Sequence, residues 1–552
     1  MRFKYEENVQ CGVLIVGGGG ASLRAAIEAR ELGADVLVVS KSRIGYSNNT
    51  YISRSAFAAT GLGRPEDGSD VHLKDTVIGG RFLNNQKMAE VVVRRARDQV
   101  DFMEKHGVKF ARREDNIRLD LAPGHSHARH VRADPPIGRN YMLPLRREAL
   151  KIGVRFMDRV FISRLFVSSG RMAGAAGFSE DHGFIAVNSK CVILTTGGFA
   201  QVYRNTNNAA GITGDGQALV YDLGLPLTDM EFVQFYPTAM GKLGNRTLLY
   251  EALVFRAGAI LRNARGQDIV AKHGLEDPKV ATRDRMAQAI TSEINEGLDV
   301  DDGVVLDLSP IPEDLLQRLR PLFGTNPSLE SRKVIVAPTT HFCMGGVVVN
   351  ERTETQIPGL FAAGEICGGV HGANRLGGNA LTEVFVMGGV AARQAVKKAG
   401  ETDFPNLPEP EIKEERGRLE YSPAQPGQNA RTLRSALKEA MWNKAGIIRD
   451  QKQLTEALAA IEELNALSQD MPRTSVNELR RFLETKNMLL VSEMVCRAAL
   501  KRTESRGSHY RLDYEEEDNK GWLKNILIRQ EAGEMRLEEI PVSFDYVEFE
   551  NK

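Results

Sequence analysis

The first forty residues constrain the chain most. "CGVLIVGGGGASLRAAIEARELGADVLVVSK" (11–41) reads as an apolar strand, a glycine turn, a helix and a second apolar strand. That order predicts a parallel sheet with a helix crossing over it. Gly17, Gly19 and Ser22 occupy the three positions of G-x-G-x-x-G. Glycine in such a turn lets a pyrophosphate approach the main chain, and the unpaired N–H groups and dipole at the helix start favour an anion there. The second strand ends in Ser40 and Lys41, not in the acidic residue that holds an NAD ribose, and no second G-x-G-x-x-G follows. FAD suits this pattern better than a nicotinamide nucleotide.

At 552 residues the chain is too long for one hydrophobic core, so two or three domains are expected. "CVILTTGGFA" (191–200) and "GLFAAGE" (359–365) read as further strands of the same sheet, the latter ending at Glu365. Between them, from about 228 to 335, the glycine-rich pattern stops and helical periods such as "TRDRMAQAITSEINEG" appear, which predicts an inserted domain. "GETDFPNLPEPEIKEE", from Gly400, reads as a linker. Beyond it "RTLRSALKEAMWNKAGIIRD" and "LTEALAAIEELNALSQD" predict amphipathic helices. The expected architecture is α/β: a Rossmann-like domain from 1–227 and 336–405, an insert at 228–335, and a helical C-terminal domain at 414–552.

Lys+Arg and Asp+Glu both total 72, so no net charge draws the chain to nucleic acid. Its five cysteines show no C-x-x-C spacing, which argues against an internal iron–sulfur cluster or zinc site. "GHSHARH" (124–130) places three histidines at i, i+2 and i+5, a spacing that suits neither a zinc helix nor a zinc knuckle, so no metal site is predicted. No apolar run approaches the roughly 20 residues that cross a bilayer. The expectation is a cytoplasmic enzyme with no membrane span of its own, reaching a membrane only through a partner subunit.

"GEICGGVHGANRLGGNAL" (364–381) sets His371 and Arg375 among six glycines. Bare backbone packed around a cation predicts an anionic group bound beside the cofactor. Further blocks follow in order: "GDG" at 214–216, "EFVQFYPT" at 231–238, "TRDRMAQAI" at 282–290, "PTTHFCMGG" at 338–346 and "RTESRGSHYRLDY" at 502–514. With these, the sequence resembles the flavoprotein subunit family of succinate dehydrogenase and fumarate reductase, which also includes L-aspartate oxidase. The resemblance spans nearly the whole chain.

The resemblance implies an FAD-binding domain, a capping domain formed by the insert, and a helical C-terminal domain. It puts FAD contacts at Gly17, Gly19, Ser22, Ser40, Lys41, Asp215, Glu365, Ala380 and Leu381. Members that bind FAD covalently use a histidine in an S-H-T motif; here "GYSNNTYISRS" carries Asn48 and Asn49, which predicts noncovalent FAD. The reaction implied moves a hydride between flavin N5 and a carbon next to a carboxylate, in the reductive direction, with Arg375 and His341 supplying positive charge at that carboxylate. Arg283 matches the family's proton-donating arginine and Glu251 its relay glutamate. The second relay arginine is replaced by Val254, with Arg256 two residues further on.

Two departures stand at the far end of the substrate. The family's histidine in Q-F-H-P-T is Tyr236, and the threonine before the relay glutamate is Tyr250. Both are expected to line the substrate site, as is His371. Their bulk predicts a small unsaturated carboxylate whose far end differs from a simple carboxylate: an aromatic, thioester or amide group. The leading expectation is the flavoprotein of a fumarate reductase-like enzyme fed by an iron–sulfur subunit. An L-aspartate oxidase and a flavin-binding electron carrier are the alternatives.

Overall fold

The computed structural model describes residues 2–549 apart from 55, 242–246, 278–280, 324–329 and 422–426. Strands Arg155–Asp158, Val36–Ser40, Glu6–Val16 and Gly183–Leu194 lie side by side in parallel, and Leu360–Ala362 also pairs in parallel with the last of these. Arg171–Ser179 and Phe161–Ser168 extend the sheet antiparallel beyond Gly183–Leu194. Val13–Val16 pairs with Val36–Val39 on one side and Cys191–Leu194 on the other. Both faces of these three four-residue segments are covered, which is why they are apolar throughout and do not alternate.

Helices Gly20–Glu31 and Asn379–Gly400 pack against each other beside this sheet. The approach is close enough that a Cβ on Gly388 would lie 2.8 Å from the Ala21 carbonyl oxygen. Both helices begin at the cavity described below.

A second, antiparallel sheet is ordered Val233–Met240, Lys333–Cys343, Val304–Asp307 and Ile260–Arg262. It has its own apolar cluster, including Leu253, Leu261, Met286, Ile290, Leu306 and Val336. The boundary expected between 335 and 336 falls inside strand Lys333–Cys343, which pairs with Val233–Met240 as far as Cys343.

The stretch expected to be a linker contains helix Glu409–Glu420. Proline is tolerated in a first helical turn, and Glu409 and Glu411 there complement the dipole, so the proline- and acid-rich composition marks a helix start. Helices Ala430–Lys444, Gln451–Leu467 and Val476–Lys501 follow. The chain then forms a hairpin, Lys524–Glu531 with Glu534–Pro541, joined to Leu227–Thr228. Ala532 and Gly533 turn it with positive φ, 51° and 84°. Among the described residues no helix is long and apolar enough to cross a membrane.

Candidate active site

One cavity of about 730 Å³ runs from the glycine turn at 17–20 to the second sheet. At its first end, the backbone of Gly17 (φ 140°) passes so close to Thr195 that a Cβ would sit 2.4 Å from the Thr195 carbonyl oxygen. The first turn of helix Gly20–Glu31 holds no acidic residue to repel an anion at the positive end of its dipole, although its Gly20 N–H already reaches Thr50 Oγ1 at 3.3 Å. Helix Asn379–Gly400 also starts at the cavity, with Ala380 and Leu381 on the wall and no acid in its first turn. Two helix N-termini and a glycine cradle on one elongated cavity fit a dinucleotide such as FAD.

Gly17, Gly19, Ser40, Lys41, Asp215, Glu365, Ala380 and Leu381 all line this cavity. Ser22 does not: its Oγ lies 2.7 Å from Thr195 Oγ1 and accepts the Gly19 N–H, closing the turn from behind. Lys41 Nζ bonds Thr213 Oγ1 at 2.6 Å and pairs with Asp215 at 2.6 Å and Glu484 at 2.9 Å. Burial pulls the ammonium pKa down, but the two carboxylates outweigh it and raise it. Glu484 comes from helix Val476–Lys501, which also sends Asn487 to Asp215 at 2.9 Å. Asn49 Nδ2 donates to Glu365 Oε2 at 3.0 Å, while burial pushes the Glu365 carboxyl up to about 7.

At the other end, Arg375, His341, Arg283, Glu251 and Tyr236 share the wall. Arg375 is 4% exposed, lies over the Phe342 ring at 4.8 Å, and donates from Nη2 to Gln234 Oε1 at 2.9 Å. Burial first, then the like charge of Arg283, brings its pKa down to about 9. Arg283 opens helix Arg283–Asn295, where its charge opposes the dipole, and Glu251 offsets this. Arg283 Nε and Nη2 both donate to Glu251 Oε1, at 2.9 and 2.6 Å, and Nη1 donates to Gln234 Oε1 at 3.3 Å.

Gln234 is the residue that the motif reading missed. It is fully buried, and its amide N–H groups go to Asn374 Oδ1 and the Arg375 carbonyl, both at 2.8 Å. Its oxygen is therefore fixed between two guanidiniums and holds the two like charges at one place. The signal was present as the first residue of the Q-F-Y-P-T stretch.

Glu251 sits on a π-helical turn, Tyr250–Phe255. Burial works to raise its carboxyl, but Arg283 and the Tyr236 hydroxyl, which donates to Oε2, hold it below the usual range. Arg256 donates to the Glu251 main-chain carbonyl at 2.9 Å and pairs with Asp120 at 3.1 Å, so it does not reach the Glu251 carboxylate. His341 Nδ1 lies 3.0 Å from Asn207 Nδ2, and its ring meets Tyr236 edge-on at 5.5 Å. Burial, then Arg283 and Arg375, lower its pKa well below the usual imidazole range.

Two expected substrate contacts are not on the wall. Tyr250 is buried in the apolar cluster of the second sheet, with its hydroxyl on the Ala281 carbonyl. His371 Nε2 bonds Glu383 Oε2 at 2.9 Å beneath Phe342, 2% exposed. Of the three histidines at 124–130, His125 and His130 both bond the Gly377 carbonyl, at 2.7 and 2.8 Å, and so brace the glycine loop that carries Arg375.

A family model described as "FAD binding domain" matches residues 12–381, and one described as "Fumarate reductase flavoprotein C-term" matches 434–552. The chain is 36% identical to an uncharacterized FAD-dependent oxidoreductase of Methanocaldococcus jannaschii, covering 94% of this chain and 96% of the relative. It is also 36% identical to a subunit of the fumarate reductase (CoM/CoB) of Methanothermobacter marburgensis, covering 95% and 98%. Among solved structures it is similar to a single-residue variant of FrdA from E. coli quinol fumarate reductase, with TM-score 0.90, 29% identity, and 97% of each chain covered.

Proposed function

The chain belongs to the succinate dehydrogenase and fumarate reductase flavoprotein family, and from that premise we propose that it is the catalytic subunit of a reductase acting on a carbon–carbon double bond next to a carboxylate. The observation that carries this reading is the pair of guanidiniums bridged by Gln234 Oε1, one of them hydrogen-bonded to a carboxylate, at one end of an FAD-shaped cavity. FAD, when bound, supplies the hydride. The roles below are those of the protein's own side chains.

Arg375 clamps the substrate carboxylate, each charge-assisted hydrogen bond contributing about 1.5–3 kcal/mol. Negative charge accumulates at the α carbon and that carboxylate as the hydride arrives at the β carbon, so a fixed cation there stabilises the transition state more than the ground state. His341 adds an imidazole N–H. Arg283 delivers the proton to the other carbon. A guanidinium with solution pKa above about 12 is a weak acid, but the carbanion-like centre it protonates is strongly basic. Glu251, bonded twice to Arg283, returns a proton to it. The hydride and the proton together saturate the bond.

We assign residues 228–335 to the cap over this end. Asn48 and Asn49 offer no nucleophile for a bond to the flavin, which supports a noncovalent cofactor. With no cysteine cluster for its own iron–sulfur centre, the protein is assigned a partner that brings electrons through one. The test is to reduce the bound flavin and mix it with unsaturated acids, starting with fumarate, while following flavin absorbance. Prompt reoxidation by an enoic acid supports the reading, and failure of every acid to reoxidise the flavin faster than buffer refutes it.

A further inference from the structure

His341 Nδ1 lies 3.0 Å from Asn207 Nδ2 and 3.3 Å from Asn207 Oδ1. An amide nitrogen donates and does not accept. A proton on Nδ1 would therefore meet the nearer N–H donor to donor, and the pair is satisfied only when Nδ1 is bare and accepts. Which end of the Asn207 amide faces the ring thus decides where the imidazole proton sits. Two further asparagines fix that choice.

The chain of hydrogen bonds starts at a group with a fixed role. The Ala209 backbone N–H can only donate, and it donates to Asn49 Oδ1 at 3.0 Å, which turns Asn49 Nδ2 the other way. That nitrogen donates to Asn208 Oδ1 and to Glu365 Oε2, the latter at 3.0 Å. Asn208 Nδ2 then points at acceptors alone: the His341 carbonyl at 3.0 Å, the Thr340 carbonyl at 3.3 Å and Asn207 Oδ1 at 3.1 Å. With its oxygen held by Asn208, Asn207 presents Nδ2 to His341. The main chain keeps the pieces in register, since the Thr340 N–H donates to the Asn205 carbonyl at 2.9 Å and the Asn207 N–H to the Thr340 carbonyl at 3.3 Å. Asn207 and Asn208 are buried, so turning either amide over would set like groups against each other out of reach of water.

Resting on the reading of the site given above, we propose that Asn207 is a positioning residue that holds the His341 proton on Nε2, the nitrogen left to donate to the substrate's acid group. Nε2 has no hydrogen-bond partner among the described residues, and His341 shares the cavity wall with Arg283 and Arg375. A proton on Nδ1 would instead turn the Nε2 lone pair toward the acid group, acceptor against acceptor. The asparagine relay prevents this without a charge behind the ring, where a carboxylate would draw the proton to Nδ1. Its other end holds Glu365 in the cofactor part of the cavity, so one network spans both halves of the site.

NMR of the oxidised holoprotein carrying isotope-labelled histidine reads the tautomer directly. The His341 signals are those lost in His341→Gln, and Nε2 is told from Nδ1 because it couples strongly to both ring C–H groups. The wild type is expected to carry one ring proton, on Nε2. Asn207→Asp keeps the shape but offers Nδ1 acceptors alone, so the proton is expected to move to Nδ1. Succinate binding to the same two proteins, followed by flavin absorbance, reads the consequence. The variant is expected to bind about tenfold more weakly than the wild type at about pH 8, and the gap to close below about threefold at about pH 6, where the new carboxylate favours an imidazolium that donates from both nitrogens. Arg283, Arg375 and the Tyr236–Glu251 pair face the ring, and Glu365 stands beyond Asn49; they are common to both proteins, so the ratio is read at each pH. A wild type with a proton on Nδ1, alone or on both nitrogens, overturns the proposal, as does a variant whose proton stays on Nε2. The wild-type spectrum decides by itself if the variant loses flavin. A wild type that shows Nε2–H but binds no succinate overturns the reading of the site and the substrate role with it, while the tautomer stands.

Discussion

Arg375 and Tyr236 line the same chamber, and they differ in how their polar atoms are used. Arg375 is held by Gln234 and stacked over Phe342, yet its buried Nε has no partner among the described residues, so donor capacity remains for a ligand. Tyr236 is equally buried, but its one hydroxyl is taken by Glu251. The first residue is built to receive an anion. The second is built to hold a carboxylate in place. A motif position therefore fixes where a side chain stands, while its neighbours decide what it has left to offer.

The largest effect that probes this contrast is expected at Arg283, which touches both halves through Gln234 and Glu251. Arg283→Gln should lower dye-linked reduction about 1,000-fold, within the span usual for a lost general acid, with flavin content unchanged. A variant that keeps a tenth of the rate breaks the assignment of the proton to Arg283. Arg375→Ala comes next, with kcat/KM falling about 100-fold or more as two charge-assisted bonds are lost. If only KM rose and kcat held, Arg375 would bind substrate and transition state alike.

Tyr236→Phe separates the two uses of that residue. The hydroxyl helps hold the Glu251 carboxyl below its usual range, so its removal raises the Glu251 pKa. The acid limb of the pH–rate profile, where Glu251 becomes protonated, is then expected to move to higher pH by up to about one unit. A limb that stays put while the KM for fumarate rises tenfold would give the hydroxyl to the substrate instead.

How far the sequence reached follows the same division. The strand, glycine turn and helix at 13–31 were legible because a turn of that geometry admits few residues. Arg283, Glu251, His341 and Arg375 could be picked out because each sits in a compact motif, and the structure brings all four to one cavity. Ser22, Tyr250 and His371 were picked out by the same logic and turn away from the cavity, since side-chain direction in a tight turn, a π-turn or a loop depends on packing partners that no local pattern encodes. Glu484 and Lys41 meet across 443 positions of sequence, and nothing in helix Val476–Lys501 marks Glu484 apart from its charged neighbours. The terminal hairpin was missed because two short strands follow three long helices, and the 3.6-residue period dominated the reading.

The smallest expected effect sharpens the contrast from the other side. Tyr250 stands next to Glu251 in sequence and is as buried as Tyr236, but its hydroxyl donates to the Ala281 carbonyl and its ring packs among Leu253, Met286 and Ile290. Tyr250→Phe keeps the ring and removes one buried neutral hydrogen bond, a loss of about 1 kcal/mol in stability. Urea unfolding should register that cost, while KM and kcat for the best enoic acid stay within about twofold of the wild type, because binding groups contribute far more than this when removed. A tenfold rise in KM would put Tyr250 in contact with substrate. It would then follow that the π-turn at 250–255 rearranges when substrate binds, since the hydroxyl would have to leave Ala281 to reach it.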